Sequence, residues 1–248
     1  MLLLSFGTVW SYAVLPDAYT VAHYIEIVRA TPQFITNTLL YASFAAFADI
    51  VIGVAIAYLV MRSRLFGREW LDYVAMSAIA IPGLVLGIGY LRSFHGLEVP
   101  FTGEPLATWW VLLIVALSIR RLPYALRACT AGLHQVSVSL EEAALNLGAR
   151  RLRTVRRIVV PLMGGAILAG FVTSFATAAV ELSTTIMLVA SEANAPLSYG
   201  IYIYMQSAAG RGAGAALGIV AVLIVTLGTY ISHRVIATGR RAEEITSA

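Results

Sequence analysis

Lysine is missing altogether: all 17 basic residues are arginine. A phosphate-binding loop of the G-x-x-x-x-G-K-[ST] kind is therefore excluded, because its ammonium must reach the β- and γ-phosphates. If ATP powers this protein, another chain binds it. Schiff-base chemistry with retinal or pyridoxal is excluded on the same ground. Cysteine is nearly absent, and the single Cys129 forms no internal disulfide. The four histidines, His23, His95, His134 and His233, stand far apart without metal-ligand spacing, so no metal site and no cofactor is expected. No nucleophile stands beside a base, which argues against an enzyme. Charge is scarce as well: 12% of 248 residues are charged, against a soluble norm of roughly 25%.

What fills the chain instead is apolar, at 59% hydrophobic residues and a mean hydropathy of +0.82. It comes in runs near the ~20 residues that cross a bilayer. Residues 38–61 contain one charge, Asp49, and residues 71–91 one, Asp72, near the start. Residues 106–119 are short, but Leu122, Tyr124, Ala125, Leu126 and Ala128 continue the pattern beyond Arg120 and Arg121, whose heads can snorkel. Residues 162–180 and 212–232 are uncharged, the former continuing past Glu181 to Ala190. Residues 1–10 are apolar, too short to cross, and lack the basic start and cleavage site of a signal peptide, so they read as a truncated first helix. The expectation is an all-α membrane protein, a polytopic helical bundle of five full transmembrane helices plus the truncated one. It divides into 1–36, the truncated helix and an extracytoplasmic segment; 37–235, the membrane domain; and 236–248, a cytoplasmic tail.

Alternating spans put Arg62, Arg64, Arg68, Arg120, Arg121, Arg127, Arg150, Arg151, Arg153, Arg156, Arg157, Arg234, Arg240 and Arg241 on one side and only Arg29, Arg92 and Arg211 on the other. By the positive-inside rule the first side is cytoplasmic. This topology accounts for the net charge of +4 and removes a nucleic-acid reading, because the arginines border spans without interleaved aromatics.

The cytoplasmic segment 137–161 has the clearest local pattern. Ser139 followed three residues later by Glu142 reads as a capping box and predicts a helix starting there. Leu140, Ala143, Ala144 and Leu147 share one face at helical spacing, with Glu141 and Asn146 turned away. Gly148 supplies the stop. Such a two-turn helix needs neighbours to be stable. Residues 149–160 predict a second helix with Leu152, Val155 and Val159 on one side, and Pro161 marks entry to the next span. The arginines between 150 and 157 also suit anionic lipid headgroups.

Glu142-Ala143-Ala144, three residues, Gly148, nine residues, Ile158, one residue, Val160 and Pro161 resembles the EAA loop, E-A-A-x3-G-x9-I-x-L-P, of permease subunits in binding-protein-dependent ABC importers. Val160 in place of leucine is the one departure. The resemblance implies a type I importer permease whose short coupling helix docks on a separate ATPase subunit. Glu141 or Glu142 would face that subunit's basic rim, with Ala143, Ala144 and Gly148 allowing close packing and Ile158 and Pro161 anchoring the loop. It also implies a second permease half, identical or related, an extracytoplasmic solute-binding protein, and residence in the inner membrane of a bacterial-type cell.

Polar residues inside the spans are candidates for a pathway. Asp49 lies near the middle of its span and reads either as a pathway residue or as a group paired with a polar neighbour on another helix. Glu181-Leu182-Ser183-Thr184-Thr185 interrupts its span, and Glu-Leu-Ser here resembles permeases for iron(III), polyamines and related ligands. Glu181, Ser183 and Thr184 then line a gate or a transient cation site, or else bond neighbouring helices. Arg121 either meets an anionic substrate or snorkels. Glycines four apart, Gly83 and Gly87, and Gly210, Gly214 and Gly218, suit close helix packing, and Pro82 is expected to bend its helix. The cargo favoured by family likeness is iron(III), with polyamine, thiamine or 2-aminoethylphosphonate as alternatives. A self-contained channel or ion-coupled carrier is the competing class, although the internal repeat it predicts is not evident.

Overall fold

The computed structural model describes residues 1–8, 15, 16, 18–100, 102–207 and 209–247, the side chains extending to Arg234. Residues 9 and 10 of the expected first helix, and the side chains of Arg240 and Arg241, lie outside this description. The described elements are helical: α1 (Leu2–Phe6), α2 (Ala22–Ala30), α3 (Gln33–Arg62), α4 (Arg68–Ala80), α5 (Gly83–Ser93), α6 (Trp110–Gln135), α7 (Val138–Asn146), α8 (Arg151–Leu162), α9 (Gly164–Ala179), α10 (Thr185–Leu188), α11 (Leu197–Met205) and α12 (Arg211–Ser247).

Helix α3 and the first 24 residues of α12 are long and apolar enough to cross a membrane. The pairs α4–α5 and α8–α9 satisfy the same test only when each pair is counted as one span, because they are bent by 106° and 74°. The expected run 71–91 is thus a break, sharper than the bend anticipated. Pro82 has no N–H to donate and pushes Ile81 out of the helical region, so α4 stops at Ala80 and α5 restarts at Gly83. Helix α6 continues through Arg120, Arg121 and Pro123 for 26 residues, or about 39 Å at the helical rise. The run after Leu162 is helical only to Ala179, breaks around Glu181 and resumes as short α10. Helix α11 has no counterpart in the sequence reading.

The chain forms two compact units. The first comprises residues 1–44, 81–117 and 176–227. Its core gathers Ile27, Phe34, Ala195, Leu197, Ala213, Ala216 and Leu217. The Phe34 ring lies against Gly200, where an added Cβ would come within 2.8 Å of it. Thr38 Oγ1 accepts the Leu197 backbone N–H at 2.6 Å and donates to the Phe34 carbonyl at 2.8 Å, which satisfies the otherwise orphaned start of α11.

The second unit comprises 45–80, 118–175 and 228–248. Here Ile50, Ala57, Ala125, Leu126, Cys129, Leu133, Val136, Val159 and Met163 form the core. Helices α3, α6 and α9 approach through small residues. Gly170 leaves room for Ala128 Cβ and Ile50 Cδ1, both within 3.1 Å of where a Cβ would stand, and Gly132 faces Ala166 in the same way.

Candidate functional site

The segment 137–161 folds as a corner, a short helix and a re-entry. Helix α7 starts two residues earlier than the capping box predicts. Ser137 is the N-cap, its Oγ accepting the Ser139 N–H at 3.3 Å, while the Ser139 hydroxyl pairs with Ser137 at 2.7 Å instead of capping. At the other end the expected stop is complete. Gly148 has φ of +83°, its N–H bonds to the Leu145 carbonyl at 2.9 Å, and the Ala149 N–H bonds to the Ala144 carbonyl at 3.0 Å. These are the two bonds of a Schellman stop, and the positive φ is why glycine stands there.

The expected faces of α7 are not the observed ones. Glu141 and Ala144 are buried, while Leu140, Leu145 and Leu147 are exposed, Leu147 at 90%. Glu142, Ala143, Asn146 and Gly148 also face outward. The reason lies on α3. Arg62 Nε donates to Glu141 Oε1 at 2.9 Å, and Tyr58 Oη donates to Glu141 Oε2 at 3.0 Å. Burying a carboxylate is tolerable when both oxygens are bonded and a cation faces it. That pairing outweighs the modest gain from burying leucines on so short a helix.

Helix α8 follows after Arg150. Its middle, Val155–Val159, is a wide π turn directly before Pro161, whose nitrogen has no hydrogen to give the preceding turn. Val159 is buried and Ile158 partly so, whereas Leu152 is 79% exposed, contrary to the expected common face with Val155 and Val159. Pro161 is exposed.

Of the candidate pathway residues, Asp49 is fully buried. It accepts hydroxyl hydrogens from Ser118 on α6, at 2.5 Å, and from Ser174 on α9. Arg121 holds its guanidinium carbon over the Tyr124 ring, 6.0 Å from the centroid. Asp49 and Arg121 both lie in the second unit, and Glu181, Ser183 and Thr184 lie in the first. There Glu181 is buried and its Oε1 accepts the Thr184 N–H at 3.3 Å, while its carbonyl accepts Ser198 Oγ and Thr185 Oγ1, both at 2.8 Å. Thr184 Oγ1 donates to the Gly83 carbonyl at 3.2 Å, and Ser183 is exposed. The interruption at 180–184 is thus held together by side chains that replace lost helical bonds. Gly87 admits Met187 of α10 so closely that a Cβ would fall 2.7 Å from the Met187 Cβ.

Sequence reasoning missed Tyr58, Arg62, Ser118, Ser174 and Ser198. Tyr58 and Arg62 are spaced i, i+4 at the end of an apolar run and carry a weak signal. The serines carry none, because one serine in a membrane helix resembles another.

Residues 49–242 match the family described as binding-protein-dependent transport system inner membrane component. The ferric transport system permease protein FbpB of Actinobacillus pleuropneumoniae is 35% identical over 170 residues, covering 68% of this chain and 24% of that protein. The chain thus matches about a quarter of the length of that relative. The molybdenum transport system permease protein ModB of Escherichia coli is 28% identical over 214 residues, covering 81% of this chain and 91% of that one. Among solved structures, a bacterial ABC transporter that imports the acidic polysaccharide alginate shares the fold, with a TM-score of 0.69 and 17% identity, over 94% of this chain and 87% of its own. With a model match over residues 49–242, the chain belongs to the family of inner membrane components of binding-protein-dependent transport systems.

Proposed function

We propose that the chain is the permease subunit of an ABC importer, passing a small solute from an extracytoplasmic binding protein across the inner membrane while a separate ATPase subunit, docked on α7, supplies the work. The chain itself hydrolyses nothing. In this reading α3, α4–α5, α6, α9 and α12 serve as five crossings, α7, α8 and the C-terminus face the cytoplasm, and a second permease half, identical or related, completes the pathway. The observation that carries the reading is the outward surface of α7 in a member of this family: Glu142, Ala143, Leu145, Leu147 and Gly148 exposed together on a helix capped at both ends. An apolar edge beside one carboxylate suits a groove with a basic rim. A capped helix transmits displacement better than a loose loop.

The favoured cargo is iron(III), supported by the similarity to a ferric permease. The molybdenum relative makes an oxyanion the main rival, since a sequence can match both.

Two measurements test this. Affinity-tagged permease carrying Glu142→Gln or Leu147→Asp is expected to retain several-fold less of the ATPase encoded with it, by analogy with the ~10-fold cost of one charge-assisted contact or one buried apolar anchor. Unchanged retention in both variants removes α7 as the docking site. For the cargo, direct binding of iron(III) and of molybdate to the partner binding protein decides between them. A carrier working alone would move solute in vesicles free of ATPase.

A further inference from the structure

The two adjacent glutamates of α7 do different things, and the inward one points to a joint. Arg62 is the last residue of α3. Besides its 2.9 Å bond to Glu141, its Nη2 donates to the carbonyls of Val136 at 2.6 Å and Leu133 at 3.2 Å. Leu133 lies in the last turn of α6, its carbonyl also accepting the Val136 N–H at 3.2 Å, and Val136 follows the helix end, where the helix dipole favours a cation. Glu141 lies in the first turn of α7, where a carboxylate is favoured. One guanidinium therefore bonds the end of α6 and the start of α7 at once. Tyr58, one turn back on the same face of α3, takes the other carboxylate oxygen at 3.0 Å. Arg62 and Glu141 keep only 14% and 8% of their side-chain surface exposed, so solvent screens the pair little.

We propose that Arg62, Glu141 and Tyr58 form the joint through which displacement of α7 reaches α3, and that Glu141 is a positioning residue which does not contact the ATPase. The proposal rests on the reading of α7 as the docking element. A helix of nine residues touched by a partner on its outer face moves the bundle only if its inner face is fixed. Single rotatable contacts allow slip. A planar guanidinium bonded at three points, with a phenol on the remaining oxygen, does not.

The test uses the complete complex of permease, ATPase and binding protein in proteoliposomes, with two readouts: ATPase retained per permease, and iron(III) and molybdate taken up per ATP hydrolysed. Glu141→Gln and Arg62→Gln are expected to keep ATPase retention near wild type and to lower uptake per ATP about tenfold, the worth of one charge-assisted bond. Tyr58→Phe, which removes a single hydroxyl and leaves packing intact, is expected to lower it in the same sense by a smaller factor. Arg62→Lys is expected to restore only part of the ratio, because an ammonium keeps the charge and loses the fork. The proposal is overturned if Glu141→Gln strips the ATPase as Glu142→Gln does, since Glu141 is then a docking residue. It is overturned equally if Tyr58→Phe and Arg62→Lys both leave uptake per ATP unchanged. Should Glu142→Gln, Leu147→Asp and Glu141→Gln all leave retention and uptake intact, the docking reading itself fails and the joint with it, a pattern distinct from either of the other two.

Discussion

Helix α3 buries a carboxylate against itself in one place and holds another at its end, and the two solutions differ. Midway, Asp49 is fully enclosed and bonded by two serine hydroxyls from α6 and α9. At the end, Tyr58 and Arg62 hold Glu141 with a phenol and a guanidinium. Deep in an apolar helix a small hydroxyl is cheap to bury, satisfies its own backbone when unpaired, and leaves the helices close together. Near a helix end the long arginine stem can run along apolar surface while its head finds acceptors, so a full ion pair becomes tolerable. The middle of α3 is thus tied by short neutral donors that set helix spacing. Its end is tied by a charged fork that sets the direction of the next helix.

The largest expected effect breaks the end. Arg62→Ala leaves Glu141 buried without its cation and removes the 2.6 Å donor of the Val136 carbonyl, and should cost about 3 kcal/mol, read as a drop in the thermal midpoint of the detergent-solubilised protein. The double change Ser118→Ala with Ser174→Ala removes both donors to Asp49, and about 2 kcal/mol is expected from the unsatisfied carboxyl. A loss as large as that of Arg62→Ala would mean that the middle matters as much as the end. Smallest is Asp49→Asn, since an amide offers one acceptor and a donor that serine oxygens accept equally; a shift of less than about 1 kcal/mol is expected. A large loss there would show that the carboxyl serves more than the two serines, and solute uptake by the same variant would tell whether that service is to transport.

Much of the architecture was legible because apolar runs and their interruptions are one-dimensional facts. The run 38–61 became α3, the run 212–232 became the body of α12, and the interruption read at Glu181 to Thr185 is present up to Thr184, with Thr185 opening α10. Pro82 was expected to bend a helix and instead separates two, because its own backbone is extended (ψ of 137°) and proline disfavours the helical region for the residue before it. Helix α11 was not read although Glu192 and Pro196 stand before it, because its nine uncharged residues are too few for a span and resemble the tail of the preceding apolar run.

In the segment 137–161 the stop at Gly148 was readable from glycine alone, whereas the choice of inner face was not. Helical spacing shows that Leu140, Ala143, Ala144 and Leu147 share a side, but burial depends on what the rest of the chain offers that side. Arg62, 79 positions away, offered a cation to the opposite one.

Composition and local pattern were enough to establish a membrane chain without a nucleotide loop, the family resemblance, and a short helix stopped at a glycine, since each depends on residues close together in the chain. Folding settled that Glu141 faces inward and Glu142 outward, and that Asp49 is met by Ser118 and Ser174. Those assignments depend on hydrogen bonds between residues tens of positions apart, and the free energy of such a bond has no expression in the sequence until the helices have packed.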